Sequence, residues 1–123
     1  MSEIQTIMTA DDYGQQLVKF ARQTADTLVK QGLTRSQIRN IFTEVRKIEA
    51  LWNTDSKKAR RRLEMLKPKL EYQTARAKAV RHLADVLSEA IDQIHGADDK
   101  AFERFVELFE AILAYHRALG GRN

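Results

Sequence analysis

Apolar residues recur at intervals of three and four positions along most of this chain, which is the spacing of an amphipathic α-helix. One such run extends from about Asp12 to Gln31, and Gly32 follows in the position of a left-handed C-terminal cap. A second helix is predicted to begin after Thr34, because Thr34 and Gln37 have the spacing of a capping box. Its apolar stripe consists of Ile38, Ile41, Phe42, Val45, Ile48 and Trp52.

A polar break separates this second helix from three more. The third predicted helix, about Ser56 to Leu66, has only a thin apolar line. The single proline, Pro68, favours the first turn of a helix and therefore predicts a tight corner before a long fourth helix that ends near His95. The fifth helix begins near Asp98 and has the widest apolar face, which predicts the most buried position in the fold.

These patterns predict an all-α fold: a five-helix bundle with short connections that forms a single domain over residues 1–123. The first ten residues show no clear period and are expected to be loosely ordered. The weak third helix beside Pro68 has the character of a hinge. In isolation, a monomer and a helix-exchanged dimer are therefore both compatible with the pattern.

Composition narrows the class of protein further. At 123 residues, with 43% hydrophobic residues and five glycines, the chain is large enough for a real core. It contains no cysteine, so it has no disulfide framework and no thiolate metal site. Neither a signal peptide nor an apolar run long enough to cross a bilayer is present. We therefore predict a soluble, cytoplasmic protein without a membrane partner.

Catalytic chemistry is poorly supported by the sequence. The three histidines, His82, His95 and His116, have no second histidine or carboxylate at ligand spacing, and no glycine-rich phosphate loop occurs. The row Glu103, Glu107 and Glu110 is more simply a solvated helix face. The prediction is a protein that is not an enzyme and needs no cofactor or metal ion.

Positive charge is concentrated in one stretch. Residues 35–81 contain 14 of the 21 Lys and Arg residues but only five acidic residues, a local charge of +9. Within this stretch, Arg35, Arg39 and Arg46 project beside the apolar stripe of the second helix rather than opposite to it. An arginine row at that edge is expected to form the rim of a groove between two helices.

The fourth predicted helix carries a second cationic set. Lys69, Tyr72 and Arg76 are in line with the later core positions Leu83 and Leu87, where an unpaired charge is costly to bury. Two interpretations of Arg76 remain open, a structural ion pair and a ligand contact. Tyr72 is compatible with stacking on a base and with packing inside the bundle.

A denser run, Lys57 to Arg62, places five cations within six residues. Alone it favours a solvated face, but together with the two other sets it favours a polyanion. Closely spaced arginines bind phosphates without reading sequence, so the residues point to an RNA or DNA backbone. A membrane surface is disfavoured because the core requires the apolar faces. A stand-alone helical adaptor for protein partners is the alternative.

Three blocks, LTRSQIRNIFTEVRKIE, LKPKLEYQTAR and FVELFEAILAYHRALGG, occur in this order. Together they resemble the small helical subunit of the Csm effector complexes, the type III-A CRISPR interference machinery. The resemblance covers roughly residues 13–121. It includes neither the first ten residues nor the Lys57–Arg62 run, and Gln73 and Thr74 stand where smaller residues are expected.

This resemblance implies a non-catalytic subunit of antiviral defence that stacks head to tail in several copies beside other Csm subunits. It implies contacts with the backbones of the guide RNA and the target RNA, without sequence preference, because base pairing reads the sequence. The residues carried over are Arg39 and Arg46 from the first block, and Lys67, Lys69 and Arg76 from the second. Arg35 and Lys47 are predicted RNA-binding residues of second rank, and Tyr72 completes the predicted set.

Overall fold

The computed structural model describes residues 2–123, which form six α-helices and one short 3-10 helix. No strand occurs in that range, so the predicted all-α class is confirmed, whereas the predicted number of five helices is wrong. The α-helices are α1 (Glu3–Ala10), α2 (Gln15–Lys30), α3 (Arg35–Trp52), α4 (Ser56–Arg76), α5 (Arg81–Asp92) and α6 (Asp99–Ala118). The 3-10 helix, Lys78–Val80, precedes α5.

The core is one cluster of buried apolar side chains to which all six helices contribute. Helix α6 packs against α1, α2, α3 and α5, and its Phe105 and Phe109 are fully buried. Helix α4 packs mainly against α3 and α5. The helix with the widest apolar face in the sequence thus occupies the centre of the bundle, as its pattern predicts.

The start of α3 follows the predicted capping box. The Thr34 hydroxyl accepts a hydrogen bond from the Gln37 backbone N–H at 3.2 Å, and the Thr34 N–H donates to the Gln37 side chain at 2.9 Å. Gly32 has a φ of +85°, a conformation that glycine adopts without a steric penalty. These two features fix where the chain turns into α3, and therefore where its arginines project.

The expectation that the first ten residues are loosely ordered is wrong for residues 3–10, which form α1. Ser2 caps this helix, and Ile4, Ile7 and Met8 are buried in the core. Arg104 of α6 donates to the backbone carbonyl of Ile7 at 2.9 Å, near the C-terminal end of α1. Two turns of helix are too short to show a period in the sequence, so tertiary packing decides this element.

The corner expected at Pro68 is absent, because α4 continues through this residue to Arg76. A proline inside a helix removes one hydrogen bond and costs about 3 kcal/mol. Leu63, Leu66 and Leu70 are buried on the same face before and after Pro68, at about 1.5–3 kcal/mol for each buried side chain. Core packing therefore offsets the cost, and the hinge expected for helix exchange lies inside a continuous helix.

The chain breaks instead at Ala77, which has an extended backbone with φ −145° and ψ 104°. The predicted fourth helix, from Pro68 to His95, was therefore wrong: it is the end of α4, the 3-10 turn and α5. Because this break changes the direction of the chain, Lys69, Tyr72 and Arg76 do not continue the line of Leu83 and Leu87. These side chains are exposed.

Candidate nucleic-acid interface

A groove between α3 and α6, with a volume of about 670 Å³, contains the predicted arginine row. Its floor is apolar, made mainly of Ile38, Phe42 and Leu113. We call it the arginine groove, because its rim includes Arg35, Arg39 and Arg46 of α3 and Arg117 of α6. The expectation that the arginine row of α3 borders a groove is therefore confirmed.

Hydrogen bonds at both ends hold α3 and α6 antiparallel. At the N-terminal end of α3, the Arg35 N–H donates to the Arg122 carbonyl at 2.8 Å, and His116 Nε2 lies 2.7 Å from the Leu33 carbonyl oxygen. At the other end, Trp52 Nε1 donates to Asp99 at 2.8 Å. We call the line of contact between α3 and α6 the seam. The arginine groove occupies the half of the seam that is nearer to Arg35.

The three α3 arginines differ in the number of contacts that they make within the chain. Arg46 donates to Glu49 at 2.7 Å and to Glu110 at 3.0 Å, and its guanidinium lies 4.6 Å from the Phe42 ring centroid. The hydrogen bond to Glu49 raises the pKa of Arg46 above its ordinary value, with a smaller contribution from Glu110. A phosphate at Arg46 therefore competes with two carboxylates.

Arg35 and Arg39 are less engaged. Neither forms an ion pair with any residue of the described range 2–123. The Nε atom of half-buried Arg35 has no acceptor there either, although the atom is shielded from solvent. A buried donor without an acceptor is costly, so this guanidinium gains from an incoming oxygen ligand.

Lys69 projects from α4 toward α3, where it lies 3.4 Å from Glu44. The same carboxylate accepts two hydrogen bonds from Arg62, at 2.9 and 3.3 Å. Burial acts to raise the pKa of Glu44, but the bond from Arg62 and the charge of Lys69 outweigh it, so the pKa is lowered. Glu44 is occupied mainly by Arg62, which leaves the distant Lys69 ammonium accessible.

Tyr72 and Arg76 follow Lys69 on the outer surface of α4. The Tyr72 side chain is 63% exposed, so it does not pack inside the bundle. The Arg76 guanidinium lies 5.9 Å from the Tyr72 ring centroid, and no carboxylate among the described residues lies within ion-pair distance of it. The structural ion pair considered for Arg76 is therefore absent from this part of the chain.

Lys67 and Lys47 do not join these groups. Lys67 faces α5, where it is paired with Asp92 and, at 2.7 Å, with Glu64. The hydrogen bond to Asp92, followed by that to Glu64, raises its pKa. Lys47 is exposed near the middle of α3.

The antiparallel packing of α3 and α4 brings most of the remaining residues to one end of the molecule. Asn40 and Gln73 line a common groove, so the last turns of α4 lie beside the first turns of α3. Arg117 lies at this end on α6, and sequence reasoning missed it. The sequence feature that could have identified Arg117 is its position four residues after Leu113, at the edge of the apolar face of α6. We call this region the basic end; it comprises Arg35, Arg39 and Arg117 beside the groove between α3 and α6, and Lys69, Tyr72 and Arg76 on the outer face of α4.

The cations of the dense run from Lys57 to Arg62 face three different surroundings: α5, α3 and solvent. Arg60 donates to Glu64 at 2.9 Å and to the Ile94 carbonyl at 3.0 Å, on the α5 side. Arg62 faces Glu44 on the α3 side. Lys57, Lys58 and Arg61 remain, and these three are exposed to solvent.

Other functions find little support in the described part of the chain. No three His, Asp or Glu side chains there are arranged to hold a metal ion. The His116 imidazole is buried, and its contact with the Leu33 carbonyl joins α6 to the start of α3. Within residues 2–123, every helix is too short or too polar to cross a membrane.

The fold and this surface define a small helical protein with exposed cations gathered at one end of its bundle. The model of the Csm2 Type III-A family matches residues 11–122, so the chain belongs to that family. It is accordingly a small subunit of the Csm complex in type III-A CRISPR defence, and other Csm subunits are its partners. No match was found among the curated proteins or among the solved structures.

Proposed function

We propose that the basic end binds the sugar–phosphate backbone of RNA without sequence preference, as a non-catalytic subunit that stacks in several copies. In this proposal the ligand is the guide RNA together with the target RNA. The observation that carries it is that Arg35, Arg39, Arg76 and Arg117 form no ion pair within residues 2–123, on helices whose antiparallel packing places these residues toward the same end of the bundle. Each phosphate that such cations contact releases counterions, which supplies affinity that does not depend on the bases.

The individual contacts support different ranks for the predicted residues. Arg39 and Arg76 are exposed and free of ion pairs within residues 2–123, and Arg35 has an unused Nε donor. They are the strongest candidates for phosphate contacts, because arginine can bind a phosphate through two parallel N–H groups. Lys69 is next, since its bond to Glu44 is long.

Tyr72 adds a different kind of contact. Its ring is exposed beside Arg76, and an exposed aromatic ring next to a cation is a platform on which an unpaired base can stack. Arg46, Lys47 and Lys67 rank lower. Arg46 and Lys67 are engaged by carboxylates, and Lys47 lies outside the basic end.

The adaptor alternative is favoured by one observation, the apolar floor of the arginine groove. Ile38, Phe42 and Leu113 offer a surface on which a protein helix can pack as well as a nucleotide. The two functions differ in salt dependence, because phosphate contacts weaken steeply with salt whereas apolar contacts do not.

The test is a triple variant, Arg39→Ala, Lys69→Ala and Arg76→Ala, titrated with single-stranded RNA and with guide–target duplex at several salt concentrations. We expect weaker binding by a similar factor for unrelated sequences. The slope of log affinity against log salt on single strands should flatten by about 2, at roughly 0.7 for each of three lost phosphate contacts.

The matched control removes three exposed lysines elsewhere: Lys19→Ala, Lys57→Ala and Lys100→Ala. It changes the net charge equally but leaves the basic end intact, so it should retain most of the affinity and the slope. Unchanged RNA binding in a folded basic-end variant would refute the proposal. Equal losses in both variants would show that net charge, rather than this surface, attracts RNA.

A further inference from the structure

The groove that Asn40 and Gln73 share is a small pocket between α3 and α4, with a volume of about 210 Å³. Its base is apolar and buried, formed by Ile41, Leu66 and Leu70. Its lip is polar, formed by Asn40 and Glu44 of α3 and by Lys69 and Gln73 of α4. Pockets that enclose a whole drug-sized ligand begin at about 300 Å³, so this one suits a single group of a longer polymer. We call it the amide pocket.

The two amides at the lip have unused hydrogen-bonding groups. Both side chains are exposed, and neither forms a hydrogen bond with any residue of the range 2–123. An amide side chain offers one carbonyl acceptor and two N–H donors. Asn40 and Gln73 therefore present free donors and acceptors from both sides of the pocket.

Glu44 is fixed in the pocket by cations of α4 but retains a free acceptor site. Its Oε1 accepts from Arg62 Nε at 2.9 Å and lies 3.4 Å from Lys69 Nζ, whereas its Oε2 accepts one longer bond from Arg62, at 3.3 Å. The side chain is 18% exposed, so a ligand can reach it. Because Arg62 neutralises the carboxylate, Glu44 does not prevent Lys69 from binding a phosphate.

These free groups are complementary to the 2′-hydroxyl of ribose. That hydroxyl is both a donor and an acceptor, so it can donate to the Glu44 carboxylate and accept from an amide N–H of Asn40 or Gln73. A phosphate oxygen only accepts and gains nothing from a carboxylate, and deoxyribose lacks the hydroxyl. In an A-form duplex the 2′-hydroxyls lie along the wide, shallow minor groove, so they are accessible in paired as well as in single-stranded RNA.

We infer that the amide pocket receives a ribose 2′-hydroxyl beside a phosphate held by Lys69, and thereby makes this chain prefer RNA to DNA. The inference rests on the proposed RNA-backbone function and names the contact that distinguishes the two nucleic acids. Cations alone attract both, since both have the same phosphates. Gln73 stands where the resemblance predicts a smaller residue, so half of the amide pair is a feature of this chain.

The test compares strands that differ only in the sugar. Fluorescence anisotropy measures the affinity of the full chain for an RNA strand and for a DNA strand of the same base sequence, with deoxyuridine in place of thymidine. We expect RNA to bind about tenfold more tightly, the ratio that corresponds to one hydrogen bond to a charged group. RNA with 2′-O-methyl groups should bind like DNA, because the methyl ether has no hydrogen to donate to Glu44.

Two variants assign this preference to the pocket. Asn40→Ala with Gln73→Ala keeps every charge, so the affinity for RNA should fall toward that for DNA while the affinity for DNA stays unchanged. Glu44→Gln removes the charged acceptor and releases Arg62 and Lys69, so DNA should bind more tightly and the RNA-to-DNA ratio should fall to about twofold. Circular dichroism checks that each variant folds.

The matched control for the amide variant is Gln16→Ala with Gln23→Ala, which removes two exposed amides from α2. It should leave both affinities unchanged. An RNA-to-DNA ratio that survives in the amide variant and in Glu44→Gln would overturn the inference, because the preference then arises elsewhere. Equal losses for RNA and DNA in the amide variant would also overturn it, since the amides then contact phosphates.

The unaltered chain separates failure of the ribose contact from failure of the RNA site. Equal affinity for RNA and DNA would refute the ribose contact but leave the backbone proposal intact, because the basic-end triple variant tests that proposal through its salt slope. Absence of binding to either strand would refute both.

Discussion

The arginine groove and a second groove, the acidic furrow, lie end to end along one seam between α3 and α6, with volumes of about 670 and 650 Å³, and present opposite charges. The rim of the acidic furrow includes Glu49, Asp99, Glu103, Glu107 and Glu110, and its floor Trp52, Phe102 and Val106. Both have floors built from the apolar stripes of the same two helices. Their difference arises only at the rims, where arginines near the start of α3 give way to carboxylates near its end. Helical periodicity determines that a seam exists, and the few residues at its edges determine what each half can bind.

Arg46 and Glu110 mark the boundary between the two halves. Their side chains are 3.0 Å apart, and Glu110 and its neighbouring carboxylates begin the acidic furrow. An RNA strand that follows the arginines therefore meets repulsion if it continues along the seam. The unpaired cations instead lead from the arginine groove across α3 toward Lys69 and Arg76 of α4.

The largest effect is expected at the floor of the acidic furrow. Trp52 stacks on Phe102 with ring centroids 4.0 Å apart, and its Nε1 donates to Asp99. Trp52→Ala should reduce the free energy of unfolding by about 3–5 kcal/mol, because it leaves a cavity and removes the stack on Phe102. Urea denaturation followed by far-UV circular dichroism measures this, since the variant has no tryptophan to report by fluorescence.

Trp52→Phe is the matched control for this change. It retains an aromatic ring for the stack but loses the N–H donor and part of the buried ring volume, so we expect a smaller cost of about 1–2 kcal/mol. If both substitutions cost the same, the hydrogen bond to Asp99 rather than the stack holds this half of the seam. If neither lowers stability, the furrow floor is not part of the core.

A smaller loss is expected at the arginine groove, where Gly121 closes one end against His116. A Cβ atom at residue 121 would lie 2.2 Å from His116 Cε1, so Gly121→Ala forces the buried imidazole or the chain terminus to move. Overpacking of this kind costs about 1–3 kcal/mol. We expect a lower thermal midpoint, with weaker RNA binding because the Arg122 carbonyl that accepts from the Arg35 N–H moves as well.

The neighbouring glycine provides a contrast. A side chain at Gly120 would meet open space, although its φ of +91° disfavours most residues. Gly120→Asn should therefore cost less than Gly121→Ala, since asparagine tolerates this backbone region best after glycine. The reverse order would mean that backbone conformation, rather than contact with His116, limits the terminus.

The sequence predicted one side of this comparison better than the other. The capping box at Thr34 and the apolar stripe of α3 fixed the arginine rim, because helix phase is a local property. Arg117 could not be predicted at the rim of the arginine groove in the same way. Its position there depends on the antiparallel packing of α6 against α3, which no local sequence pattern indicates. The engagement of Lys67 by Asp92 depends likewise on how α4 and α5 pack.

The errors at Pro68 and Ala77 have a common physical origin. A proline usually marks a helix start, but burial of Leu66 and Leu70 keeps α4 helical through it. Ala77 and its neighbours are ordinary helix formers, and the chain breaks there because α5 must return to the core. In both places tertiary packing overrides local preference, so the sequence gives no signal of either outcome.

The smallest effect is expected at the boundary residue, where Arg46→Met removes the charge but retains the stem that packs on Phe42. Exposed ion pairs contribute about 0–1 kcal/mol, so the thermal midpoint should hardly move. Because Glu49 and Glu110 already occupy Arg46, RNA affinity should fall less than in the matched variant Arg39→Met. Salt titrations compare the two: Arg39→Met should flatten the slope by up to about 0.7, and Arg46→Met by less. Equal slopes would place a phosphate at Arg46 and extend the RNA path to the edge of the acidic furrow.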